Sequence, residues 1–290
     1  QAVLMVLIQI GGLGVITVGA SFSLLSGRRI SLSQRGRMQE AMSAPKVGGI
    51  VRLTGFVIRA SLMIEGIGAL CMLPVFCRDF GVSGVWKAIF HSVSAFCNAG
   101  FDLMGTPDTP FVSLTAYRAD TVINLTISAL IVVGGIGFLT WDDVRTNRLC
   151  FHRYRLQSKV ILTSTALLIL LPTLYFFFFE FKGVTPQERL LLSLFQSITP
   201  RTAGFNTADY TSLSSSGRGL TILLMFIGGS PGSTAGGIKT TTIAVLVANA
   251  FAVFRRQKSP EMFGRRMEEK AVHDAAAIFT LYLSLIHISE

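Results

Sequence analysis

The sequence has 290 residues, of which 50% are hydrophobic and only 14% are Asp, Glu, Lys or Arg. Soluble domains carry about 25% charged residues, so this composition is typical of a membrane protein and excludes a disordered chain. The net charge of +10 indicates either nucleic-acid binding or membrane topology, and the positions of the basic residues decide between the two.

Five long apolar segments follow one another along the chain. They cover residues 2–25, 51–76, 119–141, 160–181 and 220–254, and the last of them is interrupted. Because about 20 apolar residues cross a bilayer as a helix, each segment predicts a membrane span. The first segment starts with the chain, and a further apolar segment from residue 272 stops short, so we expect the chain to be incomplete at both ends.

Most of the basic residues lie in three stretches between the predicted spans. These stretches cover residues 28–52, 145–159 and 255–270, and they contain few acidic residues. An excess of Lys and Arg marks the cytoplasmic side of a membrane protein. We therefore interpret the positive charge as membrane topology and expect no nucleic-acid partner. Residues 77–118 and 182–219 are then expected on the outer side.

Each outer stretch contains a short apolar segment, at residues 86–96 and 187–198. As helices these would be about 16–18 Å long, so they reach only partway into the membrane. Non-helical backbone at that depth is tolerated only where protein buries it or where it lines a wet cavity. The segments therefore predict re-entrant half-helices that lead into pore loops. An interfacial helix on the outer leaflet is the alternative.

The two half-helices end in similar motifs. Phe90-His91-Ser92-Val93-Ser94 leads to Asn98-Ala99-Gly100-Phe101, and Phe195-Gln196-Ser197-Ile198-Thr199 leads to Thr202-Ala203-Gly204-Phe205. A glycine pair also recurs within the spans, at residues 11–12, 134–135 and 228–229. Recurrence in the same order indicates copies of one unit, made of a span, a half-helix, a glycine turn and a second span.

These motifs resemble the Trk/Ktr/HKT superfamily of potassium transporters, most closely the bacterial Ktr- and Trk-type membrane subunits. The resemblance rests on residues 90–101, 199–206 and 228–240 and extends from the first residue to about residue 283. It implies an all-α membrane protein in which repeated units of helix, pore half-helix and helix stand in pseudo-fourfold arrangement around one pore.

The resemblance also implies how the chain divides. Residues 1–27 would be the last transmembrane helix of repeat one, residues 28–145 repeat two, residues 146–258 repeat three, and residues 259–290 the truncated start of repeat four.

The protein implied by the resemblance is a potassium uptake subunit in a bacterial plasma membrane, with no cofactor and no enzymatic activity. Its implied partners are the lipid bilayer, a second copy in a homodimer and a cytoplasmic nucleotide-binding regulatory subunit. Coupling of potassium to Na⁺ or H⁺ stays open.

The pore loops are the candidate ion-binding sites. A selectivity filter replaces ion hydration with consecutive backbone carbonyls, and this conformation needs residues that are comfortable at positive φ, as Gly100 and Gly204 are. The C-terminal ends of the half-helices would direct negative partial charge at a cation. The predicted filter residues are Cys97, Asn98, Ala99, Gly100, Phe101, Arg201, Thr202, Ala203, Gly204 and Phe205. By the resemblance, potassium binds to the backbone carbonyls of Asn98, Ala99, Gly100, Thr202, Ala203 and Gly204.

Two charged residues need an explanation in this arrangement. A guanidinium that faces a cation path repels cations, so we expect Arg201 to point away and to pair with Glu188, Asp209 or backbone carbonyls. Glu65 lies well inside a span, where a carboxylate is costly, so it is either functional or a buried structural partner, and we favour the structural role.

The interruption in the last span is rich in glycine and serves as the candidate gate. Its residues are Gly228, Gly229, Ser230, Pro231, Gly232, Ser233, Thr234, Ala235, Gly236, Gly237 and Lys239. No helix runs straight through such a segment, so its unwound backbone must line a pore or be shielded by protein. The resemblance implies a gate below the filter, and we expect a shorter segment to raise ion flux. A passive hinge is the alternative.

The same glycine-rich segment permits two other functions. A secondary transporter of another substrate also uses broken helices near the membrane midplane, and it is the alternative function. Residues 232–240 approach the phosphate-binding pattern G-x-x-x-x-G-K-[ST], but Ile238 is inserted before Lys239 and apolar spans flank the segment. An ATPase is therefore not favoured.

Overall fold

The chain is mostly helical where its structure is described. The computed structural model describes residues 1–14, 32–41, 49–148, 150–257 and 259–288. The α-helices in this part of the chain are α1 (Ala2–Leu13), α2 (Leu32–Ala41), α3 (Ile50–Phe80), α4 (Ser83–Phe96), α5 (Thr121–Gly135), α6 (Phe138–Asn147), α7 (Leu156–Tyr175), α8 (Pro186–Ile198), α9 (Ser215–Phe226), α10 (Thr240–Phe254) and α11 (Glu269–Ile288). Strands β1 (Glu261–Met262) and β2 (Arg265–Arg266) pair as an antiparallel hairpin that the sequence analysis did not predict.

Within the described residues, two helical segments are long and apolar enough to cross a bilayer. They are α3 and Leu156–Glu180, in which a π-helical turn (Phe176–Glu180) extends α7. Helices α5 and α6 together would supply a third span, but they are bent by 96°. The prediction of one uninterrupted span over residues 119–141 is therefore wrong, because the helix breaks at Ile136 and Gly137.

The structure describes only the beginning of the first predicted span and all of the last. Helix α1 covers the beginning of the predicted span 2–25 and ends before Gly14, which has a φ of 83°. Residues 15–25 lie outside the described residues. The interruption of the span 220–254 is confirmed, since α9 ends at Phe226 and α10 begins at Thr240.

Side-chain caps determine where several of these helices begin. Thr185 accepts a hydrogen bond from the backbone amide of Glu188, and Pro186 occupies the first turn of α8, where its missing amide hydrogen costs nothing. Asp120 caps α5 in the same way through the amide of Ile123. Polar residues that we expect on the outer side of the membrane thus fix the start of α5 and of the second half-helix.

Helices α4 and α8 are the two predicted half-helices, with 14 and 13 residues. Helix α4 packs against α1, α3 and α5, whereas α8 packs against α5 and α7. Their C-terminal parts are deeply buried, since Phe90, Phe96 and Phe195 are at most 1% exposed. This burial favours re-entrant half-helices over helices that lie on a membrane surface.

The outward faces of the long helices are apolar. Leu62, Met63 and Leu70 of α3 are exposed, as are Leu170 and Leu171 of α7. Contiguous apolar surface of this kind is unfavourable in water and matches contact with lipid acyl chains.

Candidate functional site

The first and second pore loops, residues 97–101 and 201–205, meet directly. An ideal Cβ atom built on Gly100 would lie 2.5 Å from the carbonyl oxygen of Ala203 and 3.0 Å from the Cα atom of Gly204. Gly100 has a φ of 72° and Gly204 a φ of 87°, as expected from the sequence. Only glycine combines this backbone conformation with so close an approach of two chains.

The two pore loops are held by equivalent hydrogen bonds. The hydroxyl of Ser94 in α4 donates to the carbonyl oxygen of Phe101 at 2.7 Å. The hydroxyl of Thr199, directly after α8, donates to the carbonyl oxygen of Phe205. The same bond thus folds each loop back over the end of its half-helix, which supports the internal repeat seen in the motifs.

Each pore loop also contains a non-glycine residue with positive φ, which was not predicted from the sequence. Asn98 has a φ of 51° and Thr202 a φ of 68°. Asn visits this region readily, so Asn98 carries a signal in the sequence, whereas the positive φ of a β-branched residue such as Thr202 is a genuine outlier. Strain of this kind persists only where the surroundings impose it.

Helix α4 ends at Phe96, directly before the first pore loop, and α8 ends at Ile198, shortly before the second. The last carbonyl groups of a helix carry a partial negative charge. Because the two loops are in contact, both negative helix ends lie beside the same small region, which is an arrangement that favours a cation.

A buried polar cluster lies behind the first pore loop. The side-chain amide of Gln9 in α1 donates to both carboxylate oxygens of Glu65, at 3.0 and 3.1 Å. The Sγ atom of Cys97 lies 4.0 Å from Oε1 of Glu65 and 4.0 Å from Oε1 of Gln9. Glu65 therefore contacts Gln9 and the start of the pore loop, as a buried structural partner would.

The expected acidic partners of Arg201 are engaged elsewhere. Glu188 pairs with Arg118 at 2.8 Å. The carboxylate of Asp209 accepts hydrogen bonds from the hydroxyl and amide of Thr211, which lower the pKa of this carboxyl below its ordinary value. Arg201 is only 8% exposed, and among the described residues its Nε atom has no hydrogen-bond partner. The prediction that Arg201 pairs with Glu188 or Asp209 is therefore wrong.

The glycine-rich loop, residues 228–239, closes on itself through backbone hydrogen bonds. The amide of Gly228 donates to the carbonyl oxygen of Ile238 at 2.9 Å, and the amide of Gly229 donates to the carbonyl oxygen of Gly236 at 3.1 Å. The ammonium group of Lys239 donates to the carbonyl oxygen of Ala235 at 2.8 Å. The loop is thus an ordered structure and not merely a gap between α9 and α10.

The glycine-rich loop docks into the bend between α5 and α6. The amide of Ser230 donates to the carbonyl oxygen of Gly135 at 3.0 Å, and the amide of Thr234 donates to that of Gly134 at 3.2 Å. In the opposite direction, the amide of Phe138 donates to the carbonyl oxygen of Gly232 at 2.8 Å. These bonds satisfy backbone groups that the broken helix leaves free.

The glycine-rich loop also contacts both pore loops. The side-chain amide of Asn98 in the first pore loop donates to the hydroxyl of Thr234 at 2.8 Å, and this hydroxyl donates to the carbonyl oxygen of Phe96 at 2.8 Å. An ideal Cβ atom on Gly237 would lie 3.4 Å from Cγ2 of Thr202. The three sequence-predicted segments are therefore brought together at one place in the fold.

The fold and this site define a class of protein: an α-helical membrane transport protein in which half-helices carry pore loops to a common point. The family described as TrkH, cation transport protein, matches residues 1–289, and the chain belongs to this family. The predicted all-α membrane fold and the resemblance stated from the motifs are confirmed. The family consists of ion transporters and is not a class of enzymes.

Individual proteins show the same similarity. The chain is 40% identical to the potassium/sodium uptake protein NtpJ of Enterococcus hirae, over 98% of the chain and 63% of the relative. It is 37% identical to the Ktr system potassium uptake protein B of Bacillus subtilis, over 99% of the chain and 65% of the relative. The chain therefore spans less than two thirds of the length of these curated relatives.

A solved structure supports the fold. The crystal structure of the potassium transporter TrkH from Vibrio parahaemolyticus matches with a TM-score of 0.73 at 18% identity, over 98% of this chain and 57% of that chain. The pseudo-fourfold arrangement of units stays a prediction, because the described residues contain two pore loops.

Proposed function

We propose that this chain forms part of the potassium-translocating subunit of a Trk/Ktr-type uptake system. The observation that carries the proposal is the contact between Gly100 and the backbone of residues 203–204, because it brings loops from two separate units to one point. The names of the relatives, which specify potassium or potassium/sodium uptake, support potassium as the transported ion. No comparable observation favours a secondary transporter of another substrate.

In this proposal the pore loops bind the ion through their main chain. The carbonyl oxygens of Asn98, Ala99, Gly100, Thr202, Ala203 and Gly204 replace part of the hydration shell of potassium. The negative ends of α4 and α8 add a favourable potential without any charged side chain. The hydrogen bonds from Ser94 and Thr199 keep the loops in this conformation.

The glycine-rich loop is the proposed gate. Its contacts with both pore loops and with the bend between α5 and α6 support a position at the inner end of the ion path. Few apolar side chains hold it in place, so its displacement costs mainly a limited number of hydrogen bonds. Movement of the loop would then control ion flux.

The proposed assembly follows the family resemblance. We expect a multi-pass protein in a bacterial plasma membrane that forms a homodimer and binds a cytoplasmic nucleotide-binding regulatory subunit. A relative named for a Ktr system supports a multi-component transporter. A relative named for potassium and sodium uptake makes sodium the first ion to test for coupling.

Rubidium uptake tests the proposed function. The full-length protein is expressed in cells that lack potassium uptake, together with a Gly204→Ser variant and a Gly183→Ser control. Gly183 has open space around its Cβ position, whereas Gly204 has positive φ and contacts Gly100. We expect uptake by the parent and the control, and reduced discrimination against sodium in Gly204→Ser. No uptake by the parent, or unchanged selectivity in Gly204→Ser, would contradict the proposal.

A further inference from the structure

The side chains of Asn98 and Thr234 connect the first pore loop to the glycine-rich loop. The hydroxyl of Thr234 donates to the carbonyl oxygen of Phe96 at 2.8 Å and accepts from Nδ2 of Asn98 at 2.8 Å. A hydroxyl has one hydrogen and a carbonyl oxygen can only accept, so the direction of both bonds is fixed. The amide oxygen of Asn98 must then face away from Thr234.

That amide oxygen is itself left without a hydrogen-bond partner among the described residues. Oδ1 of Asn98, Nε of Arg201 and Oγ1 of Thr165 are all buried and have no hydrogen-bond partner within the described part of the chain. The three residues line one cavity of about 10 Å³. A buried water needs about this volume and two to four polar partners, so the cavity has the size and the lining of a site for one water molecule.

We propose that Asn98 is a positioning residue that couples the glycine-rich loop to both pore loops. It acts directly on Thr234 through its amide nitrogen. It acts on Arg201 of the second pore loop through one water molecule held between Oδ1 of Asn98 and Nε of Arg201. This inference rests on the proposed function, since it assigns a partner to the proposed gate.

The chain of hydrogen bonds makes the position of the gate and the shape of the pore loop interdependent. When the glycine-rich loop moves away, Thr234 leaves both Phe96 and Asn98, and two buried polar groups lose their partner. Unpaired buried groups are costly, so the docked loop and the ordered pore loop stabilise each other. Asn98 also depends on this support because its φ of 51° lies in a sparsely populated region.

Substitution of Thr234 tests the coupling in the full-length protein. Thr234→Val keeps the shape of the side chain but removes both hydrogen bonds, whereas Thr234→Ser keeps the hydroxyl. We expect Thr234→Val to raise rubidium flux at least about fivefold, the factor that corresponds to one net hydrogen bond, and to weaken discrimination against sodium. Thr234→Ser should retain the coupling.

A matched control separates this effect from the general loss of a buried threonine hydroxyl. Thr221 is 3% exposed, and its hydroxyl donates to the carbonyl oxygen of Gly217 within the same helix. Thr221→Val should leave flux and selectivity unchanged. Equal flux and selectivity in Thr234→Val and the parent would overturn the coupling while leaving the proposed function intact. Absence of uptake by the parent would instead contradict the proposed function.

A second variant keeps the test decisive where Thr234→Val does not reach the membrane. Asn98→Asp replaces the donor to Thr234 with an acceptor. The hydroxyl of Thr234 has one hydrogen, so it can donate either to the carbonyl oxygen of Phe96 or to the new carboxylate, but not fully to both. We expect increased flux in this variant. The double variant should show no further increase, because both changes remove the same connection. Additive effects, or unchanged flux in Asn98→Asp, would contradict the coupling.

Discussion

Gly100 is the residue at which the two pore loops come closest. Its ideal Cβ position lies 2.5 Å from a backbone oxygen of the other loop, whereas that of Gly204 lies 3.3 Å from the Cα atom of Gly100. A methyl group at position 100 therefore meets a main-chain atom that cannot move without displacing the second pore loop. At position 204 the required displacement is smaller.

We expect Gly100→Ala to lower rubidium uptake more than Gly204→Ala does. Both variants carry the cost of a non-glycine residue at positive φ, about 1–2 kcal/mol, and only the first adds a severe contact between the loops. Gly11→Ala is the control, because Gly11 has open space around its Cβ position. Uptake rates at equal protein level in the membrane decide the order, and a larger loss in Gly204→Ala would refute the explanation.

At the level of single residues, the sequence predicts the glycines better than the polar side chains. Positive φ at Gly100 and Gly204 follows from a backbone requirement that local sequence reveals. The surroundings of Arg201 cannot be predicted from local sequence, because they depend on which groups distant helices bring near. Glu188 precedes Arg201 in the same half-helix unit, yet its carboxylate pairs with Arg118 from the segment before α5.

Among the larger elements, the glycine-rich loop offers a direct test of gating. Deletion of residues 232–234 would remove two of the backbone hydrogen bonds that join the loop to the bend between α5 and α6. We expect rubidium flux to rise several-fold, since each lost bond contributes about 1 kcal/mol to the docked state.

The control for this deletion removes three exposed residues, 107–109, from the segment after the first pore loop. It should leave flux close to that of the parent. A glycine-rich loop deletion that conducts no faster than the parent would make the loop a passive hinge.

The bend between α5 and α6 illustrates why a helix break was missed. Residues 119–141 form one apolar stretch, and glycine alone does not stop a helix in such a context. The break becomes favourable because the loop that follows α9 supplies partners for the amide of Phe138 and the carbonyl groups of Gly134 and Gly135. That contact joins residues about 100 positions apart in the printed sequence, so no local pattern reveals it.

For the whole molecule, the distribution of charge predicts the orientation in the membrane. Cys150 is exposed in a basic segment that we expect in the cytoplasm, and Asp108 is exposed in a segment that we expect outside. A membrane-impermeant maleimide should therefore label Asp108→Cys in intact cells, in a background without other reactive cysteines. Cys150 should react only after the membrane is permeabilised, and its labelling in intact cells would reverse the topology.

The overall architecture could be predicted from the sequence, whereas the contacts between its units could not. Repetition of span, half-helix and glycine turn indicated the fold class, because length and apolar content identify each element in the sequence. The contacts between units could not be predicted in this way. They depend on close backbone approaches, such as that of Gly137 to Pro231, whose ideal Cβ-to-oxygen separation is 2.7 Å.

The glycine-rich loop of one unit docks into the broken helix of another, and this contact limits which substitutions the two segments accept. A Cβ atom on Gly134 would lie 2.1 Å from the oxygen of Phe96 and 2.7 Å from the hydroxyl of Thr234, so these positions constrain one another in size. A chimera that receives residues 228–239 from a distant homologue would therefore need the matching residues 134–138 as well, and the two segments are expected to be inherited as a pair.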